Sequence, residues 1–247
     1  MSRESHDRPA PADPQVPVFE LLPAFEEEGA PRFEPRPVAR TVLDERSAPG
    51  AQCRLLGARL RALGRDKRLR RIGVVGSGPG EGTTTVALGL ARALAHDHHR
   101  RVLLLELDLK QPALDDALGL EPPALGLHRY LAGDGDVPVL RRARPAGFWV
   151  LSAGAEAVRK ELDPSSPRLA ALFRAAERVF DFVVADCPPL LEGGGAAFSG
   201  QLDGFVLVVR SRHAERGTIQ RAAALLRPEL IVGVVLNAQR GFRKRRS

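Results

Sequence analysis

The feature that most constrains this chain is an alternation. From about residue 50 onward, short runs rich in Val, Leu and Ile trade places with stretches of helical periodicity. RIGVVGS (71–77), RVLLLELD (101–108), FWVLSA (148–153), DFVVAD (181–186), GFVLVVR (204–210) and LIVGVVLN (230–237) read as strands. RVLLLELD is apolar almost throughout, as a strand covered on both faces must be. Residues 50–65, TTTVALGLARALAHD (83–97) and segments near 165–180 and 214–227 read as helices. Strands alternating with helices predict a parallel sheet with helices on both faces, an α/β domain of three layers. Ligands of such sheets bind at the carboxyl ends of the strands, so the polar residues just after strand candidates carry the functional argument.

The remaining sequence bounds this domain. A length of 247 residues suits one large domain. Residues 1–47 hold nine of the twenty prolines among them and their next three neighbours, with ten acids against six Arg. Such a segment buries too little apolar surface to offset its ordering entropy, so a disordered acidic arm is expected over 1–47. The domain is then expected over 48–239 and a basic tail over 240–247. Residues 59–71 carry seven basic residues against one acid, and the tail adds five more. Either segment is a solvated face or a contact for an anionic partner such as lipid headgroups or nucleic acid. No apolar run approaches the ~18–20 residues that span a bilayer. The first fifteen residues lack an apolar stretch, so no signal peptide is expected. Cys53 and Cys187 lie far apart, which fits a reducing cytoplasm better than a disulfide scaffold.

The first strand candidate runs into Ser77-Gly78-Pro79-Gly80-Glu81-Gly82-Thr83-Thr84-Thr85 and then a helix. A Gly-rich turn between a strand and a helix lets backbone N–H groups converge on phosphate oxygens, aided by the helix N-terminus. This reads as a P-loop for a nucleotide's phosphates, the alternative being an ordinary Gly-rich turn, and Thr84 is expected to place its hydroxyl on Mg²⁺. The usual pattern ends in Gly-Lys-[Ser/Thr], but position 83 is Thr. The lysine supplies the charge that neutralises the β- and γ-phosphates. No basic residue within the loop replaces it, and Lys110 or an Arg from a neighbouring subunit is the candidate substitute. Losing such a charge lowers a phosphotransfer rate on the order of 10³-fold, while backbone binding of nucleotide survives in weakened form.

The Pro-Gly-Glu-Gly loop resembles that of the bacterial tyrosine autokinases of capsule and exopolysaccharide synthesis, relatives of the MinD and ParA ATPases. The resemblance covers roughly residues 48–238. It implies that Glu106-Leu107-Asp108-Leu109-Lys110 corresponds to an acidic strand end of form Asp-x-Asp-x-[Arg/Lys], with Glu in place of the first Asp. Two acids at i and i+2 share one side of a strand, so Glu106 and Asp108 are expected to bind Mg²⁺ through water and to polarise an acceptor hydroxyl. Asp186-Cys187-Pro188-Pro189 resembles the family's Walker B segment, which makes Asp186 a Mg²⁺ ligand. Cys187 is either a small-residue replacement or a reactive thiol. Asn237 resembles a residue that contacts the nucleotide base; otherwise it is a strand-end turn residue.

Several family features are altered. The chain has one tyrosine, Tyr130, in an expected internal helix, where the family carries a C-terminal tyrosine cluster. Of the family's oligomerisation motif, Glu-x-x-Arg-x-x-Arg, only Arg54 is retained. The resemblance therefore implies a kinase-like regulator of polysaccharide synthesis and export with weak or lost phosphotransfer. It implies a membrane-embedded chain-length protein as partner, a peripheral position at the inner membrane, and homo- or hetero-oligomers. The competing readings are an active tyrosine kinase with a relocated cation, and a partition or positioning ATPase that binds DNA or membrane.

Overall fold

The computed structural model describes residues 34–67, 69–96, 100–134, 138–143, 146–155, 162–192, 194–211 and 215–237. In chain order the elements are α1 (Pro37–Leu43), α2 (Ala48–Lys67), β1 (Arg71–Gly76), α3 (Thr83–His96), β2 (Val102–Glu106), α4 (Leu114–Leu118), α5 (Leu127–Ala132), β3 (Arg141–Ala143) and β4 (Phe148–Leu151). They continue with α6 (Pro167–Val179), β5 (Phe182–Asp186), β6 (Gly204–Arg210), α7 (Arg216–Ala223) and β7 (Ile231–Asn237). One seven-stranded sheet has the order β3-β4-β2-β5-β1-β6-β7. All pairs are parallel except β3 with β4. The three-layer α/β expectation holds, with an antiparallel edge added.

Strand alternation sorts the apolar side chains onto two faces. Ile72, Val102, Leu104, Val184 and Val206 pack with α1, α2 and α3. Val75, Leu103, Leu105, Val183 and Leu207 pack with α5 and α6. α3 lies tightly under α1 and α2 because Gly89 leaves room for them. A Cβ there would sit 2.4 Å from Cys53 Sγ and 2.5 Å from Val42 Cγ2.

Two expectations need correction. Residues 34–47, assigned to a disordered arm, are folded onto the domain. α1 buries Ala39 and Val42, and the Arg36 N–H donates to the Ala117 carbonyl at 3.0 Å. The arm's net acidity hid a single apolar face of two side chains. Residues 1–33 and the tail at 240–247 lie outside the described residues. The second correction is at β2, expected to reach residue 108. It ends at Glu106, after which the Leu107 N–H donates to the Asp186 carbonyl at 2.8 Å and the chain turns.

Candidate functional site

β1 lies between β5 and β6, so the loop leaving its carboxyl end faces the ends of both neighbours. Ser77 to Gly82 form that loop, and α3 begins at Thr83. Gly80 and Gly82 have φ of +75° and +88°, the left-handed conformations that a tight anion-binding turn needs. Gly82 is doubly constrained, since a Cβ there would lie 2.0 Å from Asn237 Nδ2. A Cβ at Gly78 or Gly80 would meet nothing within 4 Å, so the loop's rim is open. The backbone fits a phosphate chain.

The loop's interior is less welcoming. The Glu81 side chain is buried and folds back on the loop's first residue. Its carboxylate accepts from the Ser77 N–H at 3.0 Å and from the Ser77 hydroxyl. A Cβ built on Gly76 would find both Glu81 Oε2 and the Thr83 hydroxyl within 3.2 Å. Glu81, expected to bind cofactor, therefore bonds the loop itself. With Thr at position 83, no ammonium stands in the loop to balance it.

Next to the loop lies the carboxylate of Asp186. Asp186 ends β5 opposite Glu106 at the end of β2. Asp186 is buried and accepts a hydrogen bond from the Thr84 side chain. Desolvation raises its pKa to about 8, opposed by the Thr84 hydrogen bond and reinforced by the charges of Glu106 and Asp108. A buried acid held this way is poised to exchange its proton for a cation. Thr84 and Asp186 thus fit Mg²⁺, which takes one or two protein ligands and fills the rest of its octahedron with water and phosphate oxygens.

Glu106 does not join them as expected. Its Oε1 accepts from the Ala113 and Leu114 N–H groups at 2.6 and 2.8 Å, and its Oε2 accepts from the Ala153 N–H at 2.8 Å. Burial raises its pKa to about 7 against the pull of these three bonds. The side chain ties the start of α4 to the loop after β4, and both oxygens are occupied. The shared strand side assumed for Glu106 and Asp108 fails because β2 has ended before residue 108. Asp108 instead accepts from the Gln111 N–H at 3.0 Å in a turn. It lines a cavity of about 110 Å³ with Lys110, Leu107, Leu162, Pro188 and Phe198. Among the expected acids, Asp108 is the one placed at a cleft beside the Walker B segment.

Other expected residues also have settled positions. Asn237, expected at a nucleotide base, donates from Nδ2 to the Glu81 carbonyl at 2.7 Å. Cys187 is buried, and desolvation pushes its thiol well above the ordinary range, so it is an inert filler rather than a nucleophile. Tyr130 is buried, with its hydroxyl donating to the Arg168 carbonyl at 3.2 Å and the Arg168 guanidinium 4.7 Å from its ring centre. Arg54 donates to the Glu45 carbonyl within the same chain. One residue escaped sequence reasoning: Arg210, at the end of β6, reaches the Gly80 carbonyl at 3.4 Å. Its signal was a lone Arg closing an apolar strand, which has meaning only once β6 is known to flank β1.

No family model matches the chain. The tyrosine-protein kinase YwqD of Bacillus subtilis is 25% identical over 203 residues, covering 81% of this chain and 85% of that protein. Among solved structures, the kinase domain of the Escherichia coli tyrosine kinase ETK superposes with a TM-score of 0.68 at 22% identity, covering 90% of this chain and 88% of that one. The cell-division ATPase MinD of Pyrococcus furiosus gives 0.56 at 27% identity, covering 68% and 71%.

Proposed function

From the premise that this chain is a homologue of bacterial tyrosine kinases on a P-loop ATPase fold, we propose a kinase-like regulator of capsule or exopolysaccharide synthesis that binds ATP and Mg²⁺ weakly and transfers phosphate poorly. One observation carries this reading: a P-loop with its Thr84–Asp186 pair intact has Thr83 where the phosphate-binding ammonium belongs. Serial backbone N–H groups and a helix N-terminus support binding of the phosphate chain. Mg²⁺ supplies charge neutralisation between the phosphate oxygens when bound. Thr84 and Asp186 would hold it, and Asp108 would orient an acceptor hydroxyl at the cleft. Phosphotransfer suffers most from the altered loop, because the missing charge acts where negative charge accumulates. The buried Tyr130 is a poor acceptor, which further separates this chain from self-phosphorylation.

The regulated partner in this reading is a membrane-embedded chain-length protein, contacted at the inner membrane's cytoplasmic side. Among the described residues, no helix is long and apolar enough to cross a membrane. The DNA-binding partition reading has less support, because the greater coverage and TM-score lie with the tyrosine kinase domain.

Calorimetry of ATP with and without Mg²⁺, beside a Thr83→Lys variant, tests the proposal. The expected outcome is weak, Mg²⁺-dependent binding that Thr83→Lys tightens by roughly 10²-fold, the scale of a recovered charge-assisted contact. Robust ATP-dependent tyrosine phosphorylation by the unaltered protein would overturn the regulator reading. Failure of Thr83→Lys to alter binding would show that the loop is not a phosphate site.

A further inference from the structure

Among the described residues, two side chains from outside the phosphate loop hold it, and they come from neighbouring strand ends. Arg210 and Asn237 are register partners across β6 and β7. Arg210 reaches the Gly80 carbonyl and Asn237 the Glu81 carbonyl, which are consecutive along the loop. In a trans peptide unit the C=O and N–H point in opposite directions. The Gly80 carbonyl shares its unit with the Glu81 N–H, and the Glu81 carbonyl shares its unit with the Gly82 N–H. Drawing both oxygens toward β6 and β7 therefore sends both N–H groups the other way. That is how a phosphate cradle must be oriented, with donors turned to the ligand and acceptors turned to protein.

Arg210 adds more than orientation. Its guanidinium stays charged at any working pH. Among the described residues, other cations near β1 are committed elsewhere: Arg71 pairs with Asp203 at 2.8 Å and Glu177 at 3.1 Å, and Arg92 pairs with Glu45 at 2.5 Å. Lys110, the cation expected from sequence, lines the cleft beside Asp108. Arg210 is exposed and its contact is with the loop itself. Resting on the nucleotide-binding reading, we propose that Arg210 is the loop's working cation, standing in from β6 for the ammonium absent at Thr83. Its charge lies about one peptide unit from the loop's ligand side. At roughly 7 Å, with an effective dielectric between about 20 and 80, one charge pair changes affinity by about 3- to 50-fold. This position stabilises a bound phosphate chain but leaves the usual lysine post, nearer the transferred phosphate, without charge.

The test uses the full chain and two probes, ATP and inorganic tripolyphosphate, the latter having charge but no base. Arg210→Gln should weaken both by about tenfold, and Arg210→Lys by less than threefold. In a Thr83→Lys background, Arg210→Gln should still weaken both probes by a similar factor, because charge–charge energies add. The slope of log affinity against log salt should be shallower for Arg210→Gln than for the unaltered chain. Wild-type affinity in Arg210→Gln would overturn the proposal. A loss in Arg210→Lys as large as in Arg210→Gln, or a salt slope unchanged by Arg210→Gln, would also overturn it, since either is the result of a purely structural loop contact. An unaltered chain that binds neither probe would sink the nucleotide-binding reading together with this one, whereas binding that ignores Arg210 sinks this one alone. A melting temperature within about 2 °C of wild type is expected for both Arg210 variants, because an exposed strand-end side chain contributes little to stability.

Discussion

The two halves of the site have been altered to different degrees. On one side the loop after β1 keeps its glycines and its helix but has Thr83 where charge is needed, with the Glu81 carboxylate inside. On the other side Asp186, at the end of β5, keeps its carboxylate, with a pKa raised by burial and further by the nearby charges of Glu106 and Asp108. The difference teaches that shape and charge are separable in a P-loop. Backbone geometry follows from glycine conformations and strand neighbours, which survive a change at position 83. Charge balance depends on single side chains, and here it tilts toward the acids. Thr83→Lys is the largest lever on that contrast, since it alone returns a cation to the depleted half, by the roughly 10²-fold gain in ATP affinity stated above.

The acidic half can be broken through pH. Asp186, with a pKa near 8, is mostly protonated at pH 6 and ionised at pH 9. Cation binding requires the ionised form, so Mg²⁺–ATP affinity should rise with pH across this window by about tenfold or more. Binding at pH 7 should release a proton, measured as a dependence of calorimetric heat on buffer ionisation enthalpy. Stability runs the opposite way. An acid whose folded pKa is raised contributes stability that is complete below its unfolded pKa near 4 and is lost as pH rises through the folded value. The ligand-free protein should therefore melt at lower temperature at pH 9 than at pH 6. Asp186→Asn should lessen that decline, leaving the share of Glu106, whose pKa burial raises to about 7, and should reduce the pH dependence of binding. A wild-type melting temperature that is level from pH 6 to pH 9 would contradict the buried, uncompensated acid.

Much of this was legible beforehand, for physical reasons that also mark where legibility stopped. The strands and α3 announced themselves because apolar runs with turns between them have few alternatives. Thr83 stood out from the loop's local pattern, and Asp186 was singled out by resemblance to a Walker B segment. β3 did not, since Arg-Arg-Ala lacks any strand preference and is held by its antiparallel partner, with Arg142 5.8 Å from the Trp149 ring centre. Arg210 did not, nor did the bond from Asn237 to the loop, because both depend on β6 and β7 lying beside β1, and strand order leaves no trace in local pattern. Glu106 was misassigned for a third reason: a carboxylate serving three backbone N–H groups has the same letter as one serving a metal.

Glu106 gives the next smaller effect. Gln retains one acceptor oxygen and introduces a donor facing backbone N–H groups, so Glu106→Gln leaves at least one buried N–H without a partner. That costs roughly 1–3 kcal/mol. At about 2–4 °C per kcal/mol for a domain of this size, the melting temperature should fall by several degrees. If Glu106 is a clamp, ATP affinity should change by less than threefold in the same variant. A large loss of Mg²⁺–ATP binding with unchanged stability would instead return Glu106 to the metal-binding half and undo the contrast drawn with Asp186.

The smallest effect belongs to Tyr130, which lies in neither half. Its hydroxyl is one hydrogen bond to the Arg168 carbonyl, and its ring is held by core neighbours and the Arg168 guanidinium. Tyr130→Phe keeps the ring and loses the bond, for roughly 0.5–1.5 kcal/mol. Because it is the chain's one tyrosine, the variant also asks whether any tyrosine chemistry resides in this protein. Nucleotide affinity should stay within twofold of wild type and the melting temperature should drop by only a few degrees. A phosphotyrosine signal present in the unaltered chain and absent from Tyr130→Phe would mean that the core opens to expose this residue. The loop's charge deficit would then be compatible with transfer, and the separation of shape from charge would have to be abandoned.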